Sequence, residues 1–267
     1  MSDHETYARY YATWYAAGPD RTRQILAHYA RELGPHLPAS RDLRCLDVGC
    51  GTGNLLRYLL AEGFRSVEGL EVNPAQAANA GDLRPRIAVS DDTAAWLEAR
   101  PGAYDLIVST DVLEHVPRGE RVRFTSALRG ALAPGGLLLC TTPNANAGLG
   151  MRWRYIDDTH HTSFTEHSLT FLLRAAGFDD VRIAPSEIFR QPDVRGAWIK
   201  GPAAALLRRA VRAARRLEYV AELGVEEGFG VPLTVNLLAR ARAAVKMCGS
   251  MSDRGSASRC EPGKDDR

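Results

Sequence analysis

The sequence predicts an α/β protein with a largely parallel β-sheet at its centre. Three observations support this fold class. Short apolar runs alternate with segments of helical periodicity, as in βαβ units. The runs at 105–109 (DLIVS) and 137–141 (LLLCT) are apolar on both faces, as expected for strands covered on both sides. A glycine-rich turn at 49–53 joins the first strand to a helix, and 267 residues suffice for one large domain.

Apolar periodicity and turn residues then place each element along the chain. The second helix is expected at 20–33 and the first helix after the glycine turn at 54–61. A later helix is expected to begin after an N-cap at Thr165 and to end at Gly177. The predicted strands lie at 44–48, 66–72, 86–90, 104–110, 137–142, 181–185 and 233–241.

These elements divide the chain into three predicted regions. Residues 1–38 are assigned to N-terminal cap helices, the first of them at 4–16. Residues 39–245 form the α/β domain, with a helical insertion at about 190–228. The tail at 246–267 is rich in Ser, Gly, Arg and Asp and is expected to be disordered.

Composition narrows the function classes. The formal net charge is only +2, which argues against a nucleic-acid-binding protein. Five cysteines without a CxxC pair suit a reducing, cytoplasmic location better than a disulfide framework. No stretch approaches the ~20 apolar residues of a membrane span, and the first residues do not resemble a signal peptide.

The motif at 46–55 (LDVGCGTGNL) is the most informative stretch. Glycines at 49, 51 and 53 allow a ligand to approach the backbone closely. Glu71 ends the second strand 18 residues after Gly53, where an acid can accept hydrogen bonds from ribose hydroxyls. A dinucleotide-binding turn usually reads GxGxxG, whereas this turn reads GxGxG and follows Asp47. An acid there would repel a pyrophosphate but suits a ligand with an ammonium group.

At this motif the chain resembles the class I S-adenosylmethionine-dependent methyltransferases. The resemblance continues through 90–92 (SDD), 104–116 (YDLIVSTDVLEHV), 132–136 (LAPGG) and 169–178, which ends in AGF. It implies a Rossmann-like, seven-stranded sheet whose last strand is reversed. It also implies S-adenosylmethionine as the methyl donor. The residues that it assigns to donor binding are Asp47, Gly49, Gly51, Gly53, Glu71, Asp91, Asp92 and Asp111.

Two histidines are candidates for the chemistry. An oxygen acceptor must lose its proton during methyl transfer, and an imidazole titrates near neutral pH. His115 follows the fourth strand at the carboxyl edge of the sheet, where ligands bind in open α/β folds. In many relatives a stretch similar to 155–165 covers the acceptor pocket, and His160 matches it better than His161. The alternative is that either imidazole has only a structural role.

The pattern Asp111-x-x-Glu114-His115 allows two further interpretations. In the first, Asp111 and Glu114 form a helix capping box. In the second, both acids and His115 bind a divalent metal together with His160. The ubiquinone-pathway O-methyltransferases and the small-RNA 3′-terminal 2′-O-methyltransferases carry a similar ExxEH, and the latter add TPN, as at 142–144, and a later histidine. Asp111 departs from the first Glu of that pattern. Capping is preferred, so no metal ligand is assigned.

Two outlying segments have open roles. The aromatic residues of the first helix, Tyr10, Tyr11, Trp14 and Tyr15, either pack between helices or contact donor or substrate. The segment 202–217 places its leucines on one helical face and five arginines on the other. A lid helix with a solvated arginine face is the simpler interpretation, and docking to an anionic surface or substrate is the alternative. Peripheral membrane contact is not favoured.

The sequence therefore predicts a methyltransferase that uses S-adenosylmethionine and acts on a small molecule or glycan, most simply at oxygen. An RNA 2′-O-methyltransferase with a divalent metal is the alternative within the class. A nicotinamide dehydrogenase is disfavoured by Asp47 and the glycine spacing, and a donor-binding protein without catalytic activity remains open. The sequence names neither the acceptor nor the oligomeric state.

Overall fold

A computed structural model describes residues 19–187 and 201–244. The predicted helix at 4–16 and the tail at 246–267 lie outside the described residues. The α-helices are α1 Pro19–Glu32, α2 Asn54–Ala61, α3 Pro74–Ala78, α4 Thr93–Glu98, α5 Arg121–Ala131, α6 Gly150–Tyr155, α7 Glu166–Ala175, α8 Gly201–Leu223 and α9 Val225–Gly230. The strands are β1 Arg44–Val48, β2 Ser66–Glu71, β3 Ile87–Val89, β4 Tyr104–Thr110, β5 Leu132–Pro143, β6 Phe178–Ser186 and β7 Asn236–Ala243.

The strands form one seven-stranded sheet in the order β3-β2-β1-β4-β5-β7-β6. The first five strands in this order, β3, β2, β1, β4 and β5, pair in parallel. The β7 strand runs antiparallel to both β5 and β6. The predicted Rossmann-like sheet with a reversed last strand is confirmed. The order changes direction at β1 and β4, so a crevice for a ligand opens at their carboxyl ends.

Helices cover both faces of the sheet because its central strands are apolar on both sides. One buried cluster contains Leu46 and Ile107, and the other contains Cys45 and Leu106, their neighbours along the same two strands. The α2 helix buries Leu55, Leu56 and Leu59, which lie on one helical face. Two layers of packing therefore hold β1 and β4 rigidly beneath the glycine turn.

Three elements match their predicted bounds to the residue, namely β1, α2 and β4. Other boundaries differ. The β5 strand begins at Leu132, five residues before its predicted start, because Leu132 pairs with Tyr104 on β4 across an irregularity in the register. The β3 strand is three residues long and therefore shorter than predicted.

The N-cap of α7 is a confirmed prediction. The Thr165 hydroxyl accepts a hydrogen bond from the Ser168 N–H at 3.2 Å, and the Ser168 hydroxyl accepts one from the Thr165 N–H at 2.9 Å. Thr165→Ala should lower the free energy of unfolding by ~0.5–2 kcal/mol, because the cap bond is lost. Urea unfolding checks this value, with Thr165→Ser as the control that keeps the hydroxyl. A stability equal to the wild type would contradict a stabilising role of the cap.

The prediction of a solvated arginine face on the insertion helix is wrong. Four arginines of α8 are partly buried, whereas Leu206 and Leu217 are each 68% exposed. Arg216 donates hydrogen bonds to carbonyls at the end of α9, and Arg212 pairs with Glu187. The arginine face therefore packs on the protein because it satisfies carbonyl and carboxylate groups there. Among the described helices, none is long and apolar enough to cross a membrane.

Candidate active site

The glycine turn lies at the carboxyl end of β1 and begins the site. Gly49, Gly51 and Gly53 have φ values of +76°, +53° and +80°, a region that residues with a side chain rarely adopt. A Cβ on Gly49 would lie 2.4 Å from Cγ2 of Val112, in the turn after β4. The glycine turn and the turn after β4 are therefore in direct contact, so a ligand at one turn adjoins the other.

Asp47 lies beneath the glycine turn and is 1% exposed. Its Oδ1 has no hydrogen-bond partner among the residues that the structure describes. Burial, and next the charge of Glu71, raise the pKa of Asp47 well above its usual value. A buried carboxyl group with an unsatisfied oxygen is costly unless a donor or a cation meets it. Asp47 therefore suits a ligand that carries an ammonium group.

Glu71 lies at the end of β2 and stabilises the glycine turn by hydrogen bonding. Its Oε2 accepts a hydrogen bond from the Gly51 N–H at 2.7 Å, and its Oε1 accepts one from the Asn73 N–H at 2.8 Å. A carboxylate oxygen can accept more than one hydrogen bond, so Glu71 can also bind ligand hydroxyls. Glu71 is 5% exposed, so such bonds would form away from bulk water.

The other acids predicted to hold the donor have different surroundings. Asp92 caps α4 through the Ala95 N–H and forms an ion pair with Arg123, and Asp91 is exposed. The two contacts of Asp92 are structural, and contact of either acid with adenine stays a prediction.

Asp111 does not cap a helix, so the capping-box prediction is wrong. Asp111 has a φ of +54°, and the short 3₁₀ turn that follows begins after Val112 without a side-chain cap. The Asp111 carboxylate instead accepts hydrogen bonds from the Thr141 hydroxyl at 3.0 Å and the Asn236 amide at 3.3 Å. It thereby ties β4 to β5 and β7. Burial raises the pKa of Asp111 to about 6.

Glu114, His115 and His160 form a tight cluster beside these acids. One ligand atom from each residue lies within 4.8 Å of the other two, and the imidazole centroids are 4.5 Å apart. Glu114 is fully buried, and its Oε1 has no hydrogen-bond partner among the described residues. Its Oε2 accepts a hydrogen bond from the Thr142 hydroxyl at 3.2 Å. Asp111 is not a member of this cluster.

Neighbouring groups fix the tautomer of both imidazoles. The Thr159 hydroxyl donates its only proton to Asp157 Oδ1 at 2.6 Å, so it accepts a hydrogen bond from Nδ1 of His115 at 2.8 Å. Nδ1 of His160 donates to the carbonyl oxygen of Trp153 at 2.8 Å. Nε2 of each ring therefore carries a lone pair. This arrangement is typical of histidines that bind a metal or accept a proton.

Burial and neighbouring charges shift the pKa values of the three cluster residues. Burial, and next the neighbouring His160, lower the pKa of His115 to about 4, and burial also lowers the pKa of His160. Both imidazoles are therefore neutral at pH 7. Burial and the nearby Asp111 raise the pKa of Glu114 well above its usual value. A cation at the cluster would reverse this effect and favour the carboxylate.

Sequence reasoning named the cluster members but missed the residues that orient them. Asp157, Thr159 and the Trp153 carbonyl hold the two imidazoles, yet their spacing in the sequence gave no signal. Gln76 on α3 was also missed. Its buried Oε1 has no partner among the described residues and lies 3.1 Å from the position of a Cβ on Gly51. The structure brings His160 to the cluster, whereas His161 is exposed.

Comparisons with known proteins identify the family of this chain. Residues 19–183 match the family model of a methyltransferase domain. The chain therefore belongs to that family and is an S-adenosylmethionine-dependent methyltransferase. A relative from Cereibacter sphaeroides, named ubiquinone biosynthesis O-methyltransferase, is 34% identical in an alignment of 175 residues that covers 60% of this chain and 69% of the relative. A probable S-adenosylmethionine-dependent methyltransferase from Mycolicibacterium smegmatis is 31% identical over 54% of each chain.

Solved structures support the fold. A methyltransferase from Archaeoglobus fulgidus, described as dependent on S-adenosylmethionine, has a TM-score of 0.63 at 19% identity, over 88% of this chain and 99% of the other. The putative methyltransferase in a Haloferax volcanii complex has a TM-score of 0.61 at 15% identity, over 91% and 98%. S-adenosylmethionine fits the residues present. The unsatisfied Asp47 Oδ1 suits its ammonium group, the glycine turn allows it to approach the backbone closely, and Glu71 suits its ribose hydroxyls.

Glu71→Ala should weaken donor binding roughly 10- to 150-fold, because charge-assisted hydrogen bonds contribute about 1.5–3 kcal/mol. Titration calorimetry with S-adenosylmethionine measures the affinity. The matched control is Glu68→Ala on the same strand, since Glu68 is exposed and accepts a hydrogen bond from the Tyr104 hydroxyl. Unchanged affinity in a folded Glu71→Ala variant would show that the ribose binds elsewhere.

Proposed function

We propose that this methyltransferase transfers its methyl group to a hydroxyl oxygen of a small molecule, and that the cluster of Glu114, His115 and His160 receives that hydroxyl. The observation that carries the proposal is the convergence of two neutral imidazoles and a buried carboxyl group within 4.8 Å. The contact between Gly49 and Val112 supports a position for the cluster next to the donor turn. Several relatives are named O-methyltransferases, which agrees with an oxygen acceptor.

The chemistry of the acceptor explains why oxygen suits this cluster. The donor supplies an already activated methyl group, so alignment and exclusion of water carry much of the catalysis. A neutral amine can attack directly, but a hydroxyl becomes a good nucleophile only as its proton leaves. Two imidazoles that remain neutral at pH 7 would be unnecessary for an amine. For a hydroxyl acceptor, their lone pairs can take up the leaving proton or bind a cation that assists its loss.

We further propose that the cluster holds a divalent cation, which is the second interpretation of the motif at 111–115. Asp111 is not a helix cap, so capping no longer explains the motif. Two imidazoles and one carboxylate are a ligand set found in catalytic metal sites. Glu114 Oε1 lacks a protein partner among the described residues, which a cation would supply. Such a cation would act as a Lewis acid on the acceptor hydroxyl.

The roles of the surrounding residues follow from their contacts. Thr159 and the Trp153 carbonyl keep Nδ1 of the two histidines protonated, so that Nε2 of each ring carries the lone pair. Thr142 holds the second oxygen of Glu114. Asp111 and Asn236 fix the end of β4 against β7. These contacts hold the cluster members in place before an acceptor arrives.

Catechol and benzene-1,2-diamine form a matched pair of probes for this function. With S-adenosylmethionine present, catechol should yield S-adenosylhomocysteine and an O-methylated product, identified by mass spectrometry. The diamine should react no faster than a reaction without acceptor. Equal or preferred methylation of the diamine would overturn the choice of oxygen. A short oligoribonucleotide in the same assay tests the RNA alternative that the sequence left open.

A further inference from the structure

Three arginines without an acidic ion-pair partner lie close to one another and to the chain segments that carry the cluster. Arg118 precedes α5, Arg121 is its first residue, and Arg154 lies on α6. In the described part of the chain, none of the three forms an ion pair within 4 Å. Some arginines elsewhere on the described helices do pair, as Arg123 does with Asp92 and Glu98.

The chain connects two of these arginines directly to the catalytic cluster. The Arg121 Nε donates a hydrogen bond at 3.0 Å to the carbonyl of Val116, the residue after His115. Arg154 follows Trp153, whose carbonyl holds Nδ1 of His160. The Arg121 guanidinium group is thus anchored next to His115, and the backbone of Arg154 adjoins the carbonyl group that holds His160.

The contacts of the two arginines also restrict where they point. The Arg121 guanidinium carbon lies 5.5 Å from the centroid of the Phe164 ring, and that of Arg154 lies 5.0 Å from the Tyr155 ring. Both side chains are only partly exposed. Aromatic rings hold a guanidinium group in place without neutralising it. The terminal N–H groups of Arg121 and the donors of Arg154 therefore remain available for an anion.

The local electrostatics are unfavourable without a ligand. Burial lowers the pKa of Arg121, and the charges of Arg118 and Arg154 lower it further. Arg121 also begins an eleven-residue helix, where the helix dipole disfavours a positive charge. No acidic residue occupies the first turn of α5. A negatively charged group in this position would offset the neighbouring positive charges and the helix dipole.

We infer that the acceptor carries a carboxylate or phosphate group, and that Arg121 and Arg154 bind this group while the hydroxyl lies at the cluster of Glu114, His115 and His160. The planar guanidinium group matches the oxygen geometry of both anions. This inference rests on the proposed function and specifies its substrate class. Arg118 is more exposed and adds to the local positive potential.

Catechol and 3,4-dihydroxybenzoate test the inference, because the two differ only by a carboxylate. Each is titrated calorimetrically into the full-length protein loaded with S-adenosylhomocysteine, so the readout is binding and not turnover. We expect 3,4-dihydroxybenzoate to bind roughly tenfold more tightly. The ratio of the two affinities should fall towards one in the R121Q/R154Q variant and, for the wild type, as salt is added.

The matched control is Arg152→Gln, which removes the same charge from an exposed position on α6. This variant should keep the preference for the carboxylate. Equal affinity of the wild type for both probes, binding of neither, or a preference that survives in R121Q/R154Q would overturn the inference. So would a double variant that loses only the affinity for phosphatidylglycerol vesicles, because the arginines would then serve a lipid surface.

The two proposals can fail separately. If the carboxylate preference depends on the arginines but neither probe is methylated, the anion subsite stands and the proposed reaction fails. If catechol is methylated and binds as well as 3,4-dihydroxybenzoate, the reaction stands and the subsite fails.

Discussion

Replacing Gly51 with valine is expected to abolish measurable binding of S-adenosylmethionine. Gly51 has a φ of +53°, and its N–H donates to the carboxylate of Glu71. A Cβ would already lie 3.1 Å from Gln76 Oε1, and the valine methyl groups extend beyond it. The turn must shift, or the methyl groups must fill space next to the donor. Both outcomes remove the backbone approach that the ligand needs. Titration calorimetry measures the loss.

Gly102→Val provides a matched control for this change. Gly102 also has a positive φ, +66°, but no atom lies within 4 Å of its added Cβ. It precedes β4 and therefore lies at the amino ends of the parallel strands, whereas the glycine turn lies at their carboxyl ends. Both variants should lose about 1–3 kcal/mol of stability from backbone strain. Only the Gly51 variant should lose the donor, and normal binding by it would place the donor elsewhere.

The elements nearest the donor could be predicted because local rules and packing agree there. The β1 and β4 strands are continuous apolar runs bounded by turn residues, and α2 begins at the residue after Gly53. Tertiary structure adds little to these boundaries. The start of β5 could not be foreseen, because Leu132 pairs with Tyr104 across a register shift that Pro134 and two glycines obscure.

Amphipathic patterns also have a physical limit. Helical periodicity in α8 correctly separated leucines from arginines but could not show which face is covered. The arginine face packs inwards because Arg216 meets backbone carbonyls and Arg212 meets Glu187. Such partners are distant in sequence and leave no periodic signal. The leucines lie on the other face of α8 and are therefore exposed.

The motif after β4 shows a related limit. Asp111 and Glu114 have the spacing of a capping box, but Asp111 adopts a positive φ and turns its carboxylate towards β5 and β7. Glu114 and His160 are 46 residues apart, and only the resemblance to metal-binding relatives connected them. Their contact depends on Thr142 and Trp153, which the sheet and α6 bring to the same edge.

Removal of a divalent cation is expected to lower turnover of a hydroxyl acceptor by roughly 100-fold or more, since assistance to proton loss contributes about that much. Treatment with EDTA should cause the loss, and Mg²⁺, Mn²⁺ or Zn²⁺ added back one at a time should identify the active metal. Elemental analysis of the untreated protein provides a readout that is independent of activity. It should show about one equivalent bound at the cluster.

His160→Asn should lower both metal content and turnover, because one imidazole ligand is lost while the fold keeps Glu114 and His115. His161→Asn is the matched control: its side chain is exposed and lies outside the cluster, and the substitution keeps its backbone N–H, which donates to the Glu114 carbonyl at 2.7 Å. The control should retain both metal and activity. Full turnover in EDTA, with no metal by elemental analysis, would refute the metal site. The two neutral imidazoles would then act as bases, and His160→Asn would reduce turnover without any change in metal content.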